Sequence, residues 1–368
     1  MKKLLVLGAG MVAKPLVNYL AGKGYNLTLA DIDKKKAAKI AAKNKNIKVE
    51  ALDVNNLASL EQLIEKCDLA ISLLPYIYHI QVGLICVKHK KNMVTTSYIK
   101  PEMQALDTAA KKAGIIILNE VGLDPGIDHL SAKRIIDNIH NKGGKVIEFF
   151  SICGALPAPE AADNKLKYKF SWSPKGVVMA GNNDAKYLKN GKIINIKTAD
   201  LFKDTFFLNE PLVGKLEVYP NRDSLSYIDL YGIPETKTMY RGTFRYKGWC
   251  ETLDIIKKIK LTTDKQYNFK GKTYAGMTAM LIGAKGTDDI RQKVADFTGL
   301  KYNSYPLKAM EWLGLFDNIK MNREKDSPLN ILSDLMISKM MLGEKERDMV
   351  IMEHNFIAEY PNKTKELI

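Results

Sequence analysis

Cysteine is scarce and unpatterned in this chain: four in 368 residues, Cys67, Cys86, Cys153 and Cys250, with no CxxC spacing. That speaks against a zinc site and a disulfide framework, and for free thiols in a reducing cytoplasm. The five histidines form no HExxH or comparable ligand spacing, so no metal is expected. No apolar run reaches the ~20 residues of a membrane-spanning helix, so no membrane partner is expected. The opening MKKLLVLGAGMVAKPL starts like a signal peptide, but Gly8 and Gly10 break the apolar part and Lys14 follows, which favours a first strand. Aromatics are few, 8%, and do not interleave with the basic runs DKKKAAK, KHKKN and KKIK. The net charge of +15 therefore reads as a lysine-rich solvated surface rather than a nucleic-acid site, although such a field would favour a small acidic substrate.

Hydrophobic residues make up 46%, enough for a normal core, and the length favours two or three domains. The first 120 or so residues alternate regularly. KLLVLG, NLTLAD, IKVEALDV, DLAISLLP, NMVTTSY and GIIILNE read as buried strands. Between them lie helices such as KPLVNYLAGK, Lys34 to Lys43 and Ser59 to Lys66. This is the pattern of a doubly wound parallel sheet covered on both faces. After residue 145 the segments KYKFSWSPKG, GKIINI, LEVYPNRDSLSY and TKTMYRGTFRYKGW are strand-like, which predicts a largely antiparallel sheet. From Glu251 to about Leu342 the period is helical, and ERDMVIMEHNFIAEYP returns as a strand. The expected fold class is α/β plus a second α+β domain with a mixed or antiparallel sheet and a small helical domain. The expected boundaries are 1–130, then 131–255 with 343–368, and 256–342 for the helices.

Gly8, Gly10, Met11, Val12 and Ala13 belong to a GxGxxA turn between a strand and a helix. Gly8 permits the turn, Gly10 lets backbone approach a pyrophosphate, and Ala13 lets the helix pack closely. The helix N-terminus then faces the phosphates. Asp31, about twenty residues on, completes the fingerprint. A carboxylate there accepts from a ribose 2′-OH and repels a 2′-phosphate, so NAD is expected over NADP. Lys34 to Lys36 follow and are placed on the next helix. Asp53, Val54, Leu74, Thr96 and Ser97 lie in loops at the carboxyl ends of strands, where open α/β sheets bind ligands.

The stretch NEVGLDPGIDHL follows the sixth strand directly. Asp124 as N-cap and Pro125 at the first helical position would explain one carboxylate, with a helix running to about Asn141. They explain Asp128 and His129 less well. Here the chain resembles the L-glutamate-forming saccharopine dehydrogenases, also called saccharopine reductases. The resemblance runs through GAGMVAKP, ISLLPYIYH, VTTSYI, NEVGLDPGIDHL, CGALPAPEAADNKLKYKFSWSPKGV, YPNRDS and YRGTFRYKG. It implies a Rossmann-type domain, a substrate domain with a mixed sheet, a small helical domain and a homodimer. It also implies reversible oxidative cleavage of L-saccharopine to L-glutamate and 2-aminoadipate 6-semialdehyde, within lysine metabolism. Carried over, the cofactor residues are Gly10 to Ala13, Asp31, Ile32, Asp33, Asp53, Val54, Leu74, Thr96, Ser97 and the loop Leu123 to Leu130, with Asp124, Gly126, Asp128 and His129. Saccharopine would meet Ser97, Tyr98, Arg222, Thr243 and Phe244. Fungal members carry a Cys-Arg pair at Asp31-Ile32, a departure that again points to NAD. Members also commonly continue beyond YPNKTKELI with an apolar segment that closes the dinucleotide domain, so a shortened chain is one expectation.

Saccharopine has three carboxylates, so its site should gather cations. Arg241, Thr243 and Arg245 alternate in one strand and share a face. Arginine matches a carboxylate bidentately, which makes Arg222 and Arg245 substrate candidates. The plain alternative is that Arg222 pairs with Asp223 and the strand arginines cover a solvated face. The secondary amine must lose a proton and a water must be activated. Candidates are Asp124, Tyr98 and Cys153, with His129 behind them; for Cys153 a buried, inert thiol is the commoner role. Two other functions stay open: a carboxynorspermidine-type imine-reducing dehydrogenase, and a catalytically silent nucleotide-binding relative.

Overall fold

The computed structural model describes residues 2–42 and 44–368, and the chain divides into two compact units, Met1–Ser131 and Ala132–Ile368. In the first, β1 (Lys3–Leu7), α1 (Ala13–Gly22), β2 (Asn26–Asp31), α2 (Lys34–Ala41) and β3 (Ile47–Ala51) build one half of a sheet. Then α3 (Leu57–Glu65), β4 (Leu69–Ser72), α4 (His79–Lys88), β5 (Asn92–Thr95), α5 (Pro101–Gln104), α6 (Asp107–Ala113) and β6 (Ile117–Leu118) build the other, before α7 (Ile127–Asn141). The strand order is β3-β2-β1-β4-β5-β6, all parallel. Strand order reverses between β1 and β4, and the carboxyl ends there form the crevice such sheets use.

Continuous apolar strands are explained by two covered faces. Leu4 and Val6 of β1 pack in one apolar cluster with Val17 and Ala37, while Leu5 and Leu7 pack in another with Leu60 and Val82. The last strand departs from expectation. GIIILNE contributes only Ile117–Leu118 at the sheet edge, and Ile116 and Leu118 are exposed. An apolar run does not say whether its strand is central or at an edge. The predicted helix from Lys34 ends at Ala41, and Lys43 lies outside the described residues.

The second unit holds β7 (Lys145–Pro157), α8 (Pro174–Ala180), β8 (Ala185–Lys189), β9 (Lys192–Ile196), β10 (Phe206–Glu210), β11 (Gly214–Pro220), α9 (Ser226–Tyr231) and β12 (Thr238–Tyr246). It continues with α10 (Trp249–Lys258), β13 (Tyr267–Asn268), α11 (Tyr274–Ile282), α12 (Ile290–Thr298), α13 (Tyr305–Leu313), β14 (Lys325–Asp326), α14 (Pro328–Met340), β15 (Asp348–Glu359) and β16 (Lys365–Leu367). Its large sheet runs β10-β11-β12-β7-β15-β16, with β8 and β9 attached at β12. The sheet is mixed, because β12 and β7 pair in parallel while their other neighbours are antiparallel. Ile152, Phe244 and Tyr246 of the sheet share one core with Ile256, Met310 and Met336 of the helices. KYKFSWSPKG does not form the strand its aromatics suggest. Its end opens α8, where Ser173 caps Gly176 N–H and Pro174 takes the first turn.

Candidate active site

Gly8 leaves β1 with φ +102°, and a Cβ on it would lie 3.1 Å from the Leu73 carbonyl oxygen. Only glycine suits that position. A Cβ on Gly10 would meet nothing within 4 Å, so its backbone borders open space. Helix α1 starts at buried Ala13 with no side-chain cap, and Met11 and Val12 are exposed. Open space over a glycine and an uncapped helix N-terminus fit a dinucleotide pyrophosphate.

Asp31 is engaged inside this turn. Its Oδ2 accepts from Ala9 N–H at 2.6 Å and its Oδ1 from Asp33 N–H at 2.8 Å. Asp33 in turn caps α2, accepting from Lys35 N–H and Lys36 N–H. Ile32 is 74% exposed, and Lys34, Lys35 and Lys36 are exposed beside it. Asp53 holds Asn55 through its N–H and side chain, the Val54 carbonyl accepts from Gln81, and Leu74 packs against the core behind β4.

Further along the same edge, Val121 N–H bonds the Thr95 carbonyl and Glu120 N–H the Ser97 carbonyl, zipping the loop after β5 to the stretch after β6. Tyr98 OH donates to Asp124 Oδ1 at 2.5 Å. Glu120 Oε1 accepts from Ile99 N–H at 2.8 Å, and its Oε2 lies 3.1 Å from His129 Nε2. Thr96 is exposed, and its carbonyl borders Gly122.

The turn from Gly122 to Gly126 is too tight for side chains at its ends. A Cβ on Gly126 would fall 2.1 Å from the Gly122 carbonyl oxygen, and one on Gly122 2.9 Å from the Pro125 oxygen. Helix α7 begins at Ile127, so neither Asp124 nor Pro125 takes the capping role the sequence suggested. Asp124 is directed to Tyr98 instead. Asp128, 1% exposed, accepts from Gly126 N–H at 2.7 Å and so braces the turn. Leu123 is exposed at its outer edge.

In the second unit, Tyr219, Thr243 and Cys153 lie side by side in register across β11, β12 and β7. Arg241 and Arg245 are 3% and 4% exposed, which excludes a solvated arginine face. The Arg245 guanidinium sits among Tyr168, Trp249 and Tyr219 at 5.0, 5.3 and 5.8 Å and donates to the Phe244 carbonyl. Burial raises the Tyr219 phenol above its ordinary range, opposed by Arg245, Thr243 and Arg222. Phe244 is itself fully buried, and Cys153 is half-buried. Arg222 is exposed on a turn with φ +55°, while its neighbour Asp223 pairs with Lys186 at 3.6 Å.

Sequence reasoning missed Glu120 and Tyr219 as members of these clusters, and His79, whose ring meets Ser72, Thr95 and Ser97. All three stood inside stretches already singled out. What marks them is pairing with residues distant in sequence.

Residues 4–118 match the family described as saccharopine dehydrogenase NADP binding domain, and residues 122–368 match saccharopine dehydrogenase C-terminal domain. The chain belongs to the saccharopine dehydrogenase family. A Schizosaccharomyces pombe member named saccharopine dehydrogenase (NADP(+), L-glutamate-forming) is 38% identical over 98% of this chain and 82% of its own length. The alpha-aminoadipic semialdehyde synthase, mitochondrial, of Mus musculus is 38% identical over the whole of this chain, which spans 41% of that longer protein. A solved apo structure of histidine-tagged saccharopine dehydrogenase (L-Glu forming) from Saccharomyces cerevisiae matches at TM-score 0.88 and 37% identity, covering 100% of this chain and 84% of that one.

These likenesses overturn the expectation of NAD. The matched family domain is described as NADP-binding, and the curated fungal members of Pyricularia oryzae, Schizosaccharomyces pombe and Saccharomyces cerevisiae are named for NADP(+). The physical flaw in that expectation lies at Asp31. Both of its oxygens accept backbone N–H groups, so the carboxylate is accounted for by holding the turn and is by itself no evidence for a ribose hydroxyl. Among the described residues no group of three His, Cys, Asp or Glu side chains could hold a metal ion, and no helix is long and apolar enough to cross a membrane.

Proposed function

We propose that this member of the saccharopine dehydrogenase family oxidises L-saccharopine with NADP+ and water, giving L-glutamate, 2-aminoadipate 6-semialdehyde, NADPH and a proton. The observation that carries the reading is the Tyr98–Asp124 couple, set at the carboxyl edge of the sheet whose first turn is the phosphate cradle. When bound, the cofactor supplies the hydride acceptor.

The chain's own residues do the rest. Gly10 and the start of α1 would hold the pyrophosphate, and the lysines from Lys34 to Lys36 would take the 2′-phosphate. The substrate's secondary amine is a cation at neutral pH and must lose a proton before its neighbouring carbon can lose hydride. Asp124 accepts that proton; as water adds to the imine carbon and gives up its protons, Asp124 returns a proton through Tyr98 to the leaving nitrogen, the carbon–nitrogen bond breaks, and one proton is released overall. On the first unit Ser97 and Tyr98 are the substrate contacts; the family resemblance adds Arg222, Thr243 and Phe244, and the guanidinium of Arg222 suits a carboxylate. The family resemblance supports a homodimer, which light scattering tests.

Steady-state assays with saccharopine and with carboxynorspermidine test the reading. NADPH formed with saccharopine alone supports it. Turnover of the polyamine acid alone would replace it with the imine-reducing alternative, which the buried guanidiniums of Arg241 and Arg245 disfavour, since a diamine needs carboxylates.

A further inference from the structure

His79 has no role in the reaction as read above, yet its ring holds three hydroxyls. It opens α4, is 2% exposed, and contacts Ser72 Oγ at Nδ1 across 3.0 Å. At Nε2 it contacts Thr95 Oγ1 at 2.9 Å and Ser97 Oγ at 2.8 Å. Ser72 and Thr95 close the neighbouring strands β4 and β5, in register with each other, and both are fully buried. Ser97 lies two residues beyond, half-buried, at the crevice.

We propose that His79 is a positioning residue for Ser97, held as the neutral Nε2–H tautomer, so that Ser97 accepts from the ring and turns its own proton to a carboxylate of the substrate. The inference rests on the reading of Ser97 as a ligand of saccharopine.

Nε2 offers either one proton or one lone pair, and two hydroxyls face it. If it offers the lone pair, only one hydroxyl can donate to it: where that is Ser97, its proton is spent on the ring and only lone pairs face outward, which a carboxylate repels; where that is Thr95, Ser97 faces Nε2 at 2.8 Å with no proton between them. If it offers the proton, Ser97 is an acceptor inward and a donor outward, and Nδ1 accepts from Ser72. All three partners are hydroxyls, so no carboxylate in the network favours a charged ring. Burial lowers the His79 pKa to about 4, which keeps the ring neutral wherever an enzyme of this kind would work.

The test pairs H79L and H79Q with S97A and with the double variant H79L/S97A, each first checked for folding by thermal unfolding. H79L is expected to raise the saccharopine KM about tenfold, the loss of one oriented hydrogen bond, with little change in the KM for NADP+. H79Q, whose amide N–H sits near the position of Nε2, recovers most of that loss. In the S97A background, H79L adds nothing. Nitrogen-15 spectra of the ligand-free wild type should show Nε2 protonated and Nδ1 bare, a readout that stands even if H79L does not fold. Independent, multiplying effects of H79L and S97A, or an Nδ1–H ring, would overturn the inference while leaving the reaction intact. Wild-type kinetics in S97A would overturn the reading of Ser97 and the inference with it.

Discussion

Tyr98 donates to Asp124 across 2.5 Å, joining the loop after β5 to the turn after β6. A bond of that length between a phenol and a carboxylate is a charge-assisted one, and it fixes both groups before any ligand arrives.

Asp124→Asn removes the proton acceptor and keeps the shape. It is expected to lower kcat by about 10²–10⁴ with NADP+ affinity little changed, measured by steady-state kinetics and cofactor titration. Tyr98→Phe should cost less, because the carboxylate remains. Equal kcat values for wild type and D124N would remove Asp124 from the chemistry.

The two turn glycines should fail differently. Gly8→Ala forces a Cβ toward the Leu73 carbonyl at φ +102° and should destabilise the protein by about 1–2 kcal/mol in urea unfolding. Gly10→Ala has open space in the free protein, so its stability should match wild type while its NADP+ affinity falls. A G10A variant that binds the cofactor normally would contradict the phosphate role.

The lysines at the start of α2 are assigned to the 2′-phosphate. Replacing Lys34, Lys35 and Lys36 together by alanine should raise the KM for NADP+ about tenfold, with the loss shrinking at high salt, as surface charge requires. No change in that KM would place the 2′-phosphate elsewhere.

His79 also gives a pH signature. Its folded pKa, about 4, lies below the ordinary 6.5, so the unfolded chain binds the extra proton between those values. Stability from this group is therefore complete above pH 6.5 and is lost as the pH falls toward 4. The loss is about 2 kcal/mol at pH 5. Urea unfolding of wild type and H79Q at pH 7 and pH 5 checks it: the gap between them should narrow at pH 5.

The first sheet was legible because its strands are apolar runs cut by glycine turns, and local order suffices to read them. The GxGxxA turn was legible for the same reason. Asp31 was misread because its partner Ala9 stands 22 residues away, and only the fold brings the two together. His79 escaped for the like reason, its partners being Ser72 and Thr95 at the ends of two strands and Ser97 in the loop beyond the second. In KYKFSWSPKG the aromatics pointed to a strand, but they pack from irregular chain and only the end of the stretch is regular, where Ser173 and Pro174 open a helix. The alternation of Arg241 and Arg245 was readable; that aromatic rings enclose Arg245 was not, since Tyr168 and Trp249 approach it from other segments.

The most direct test of the account follows product and cofactor together. The protein is incubated with saccharopine and NADP+, and glutamate is quantified by mass spectrometry against the NADPH formed. One glutamate per NADPH, abolished in D124N, is the predicted result. Tight NADP+ binding with neither product formed at any pH from 6 to 10 would contradict it.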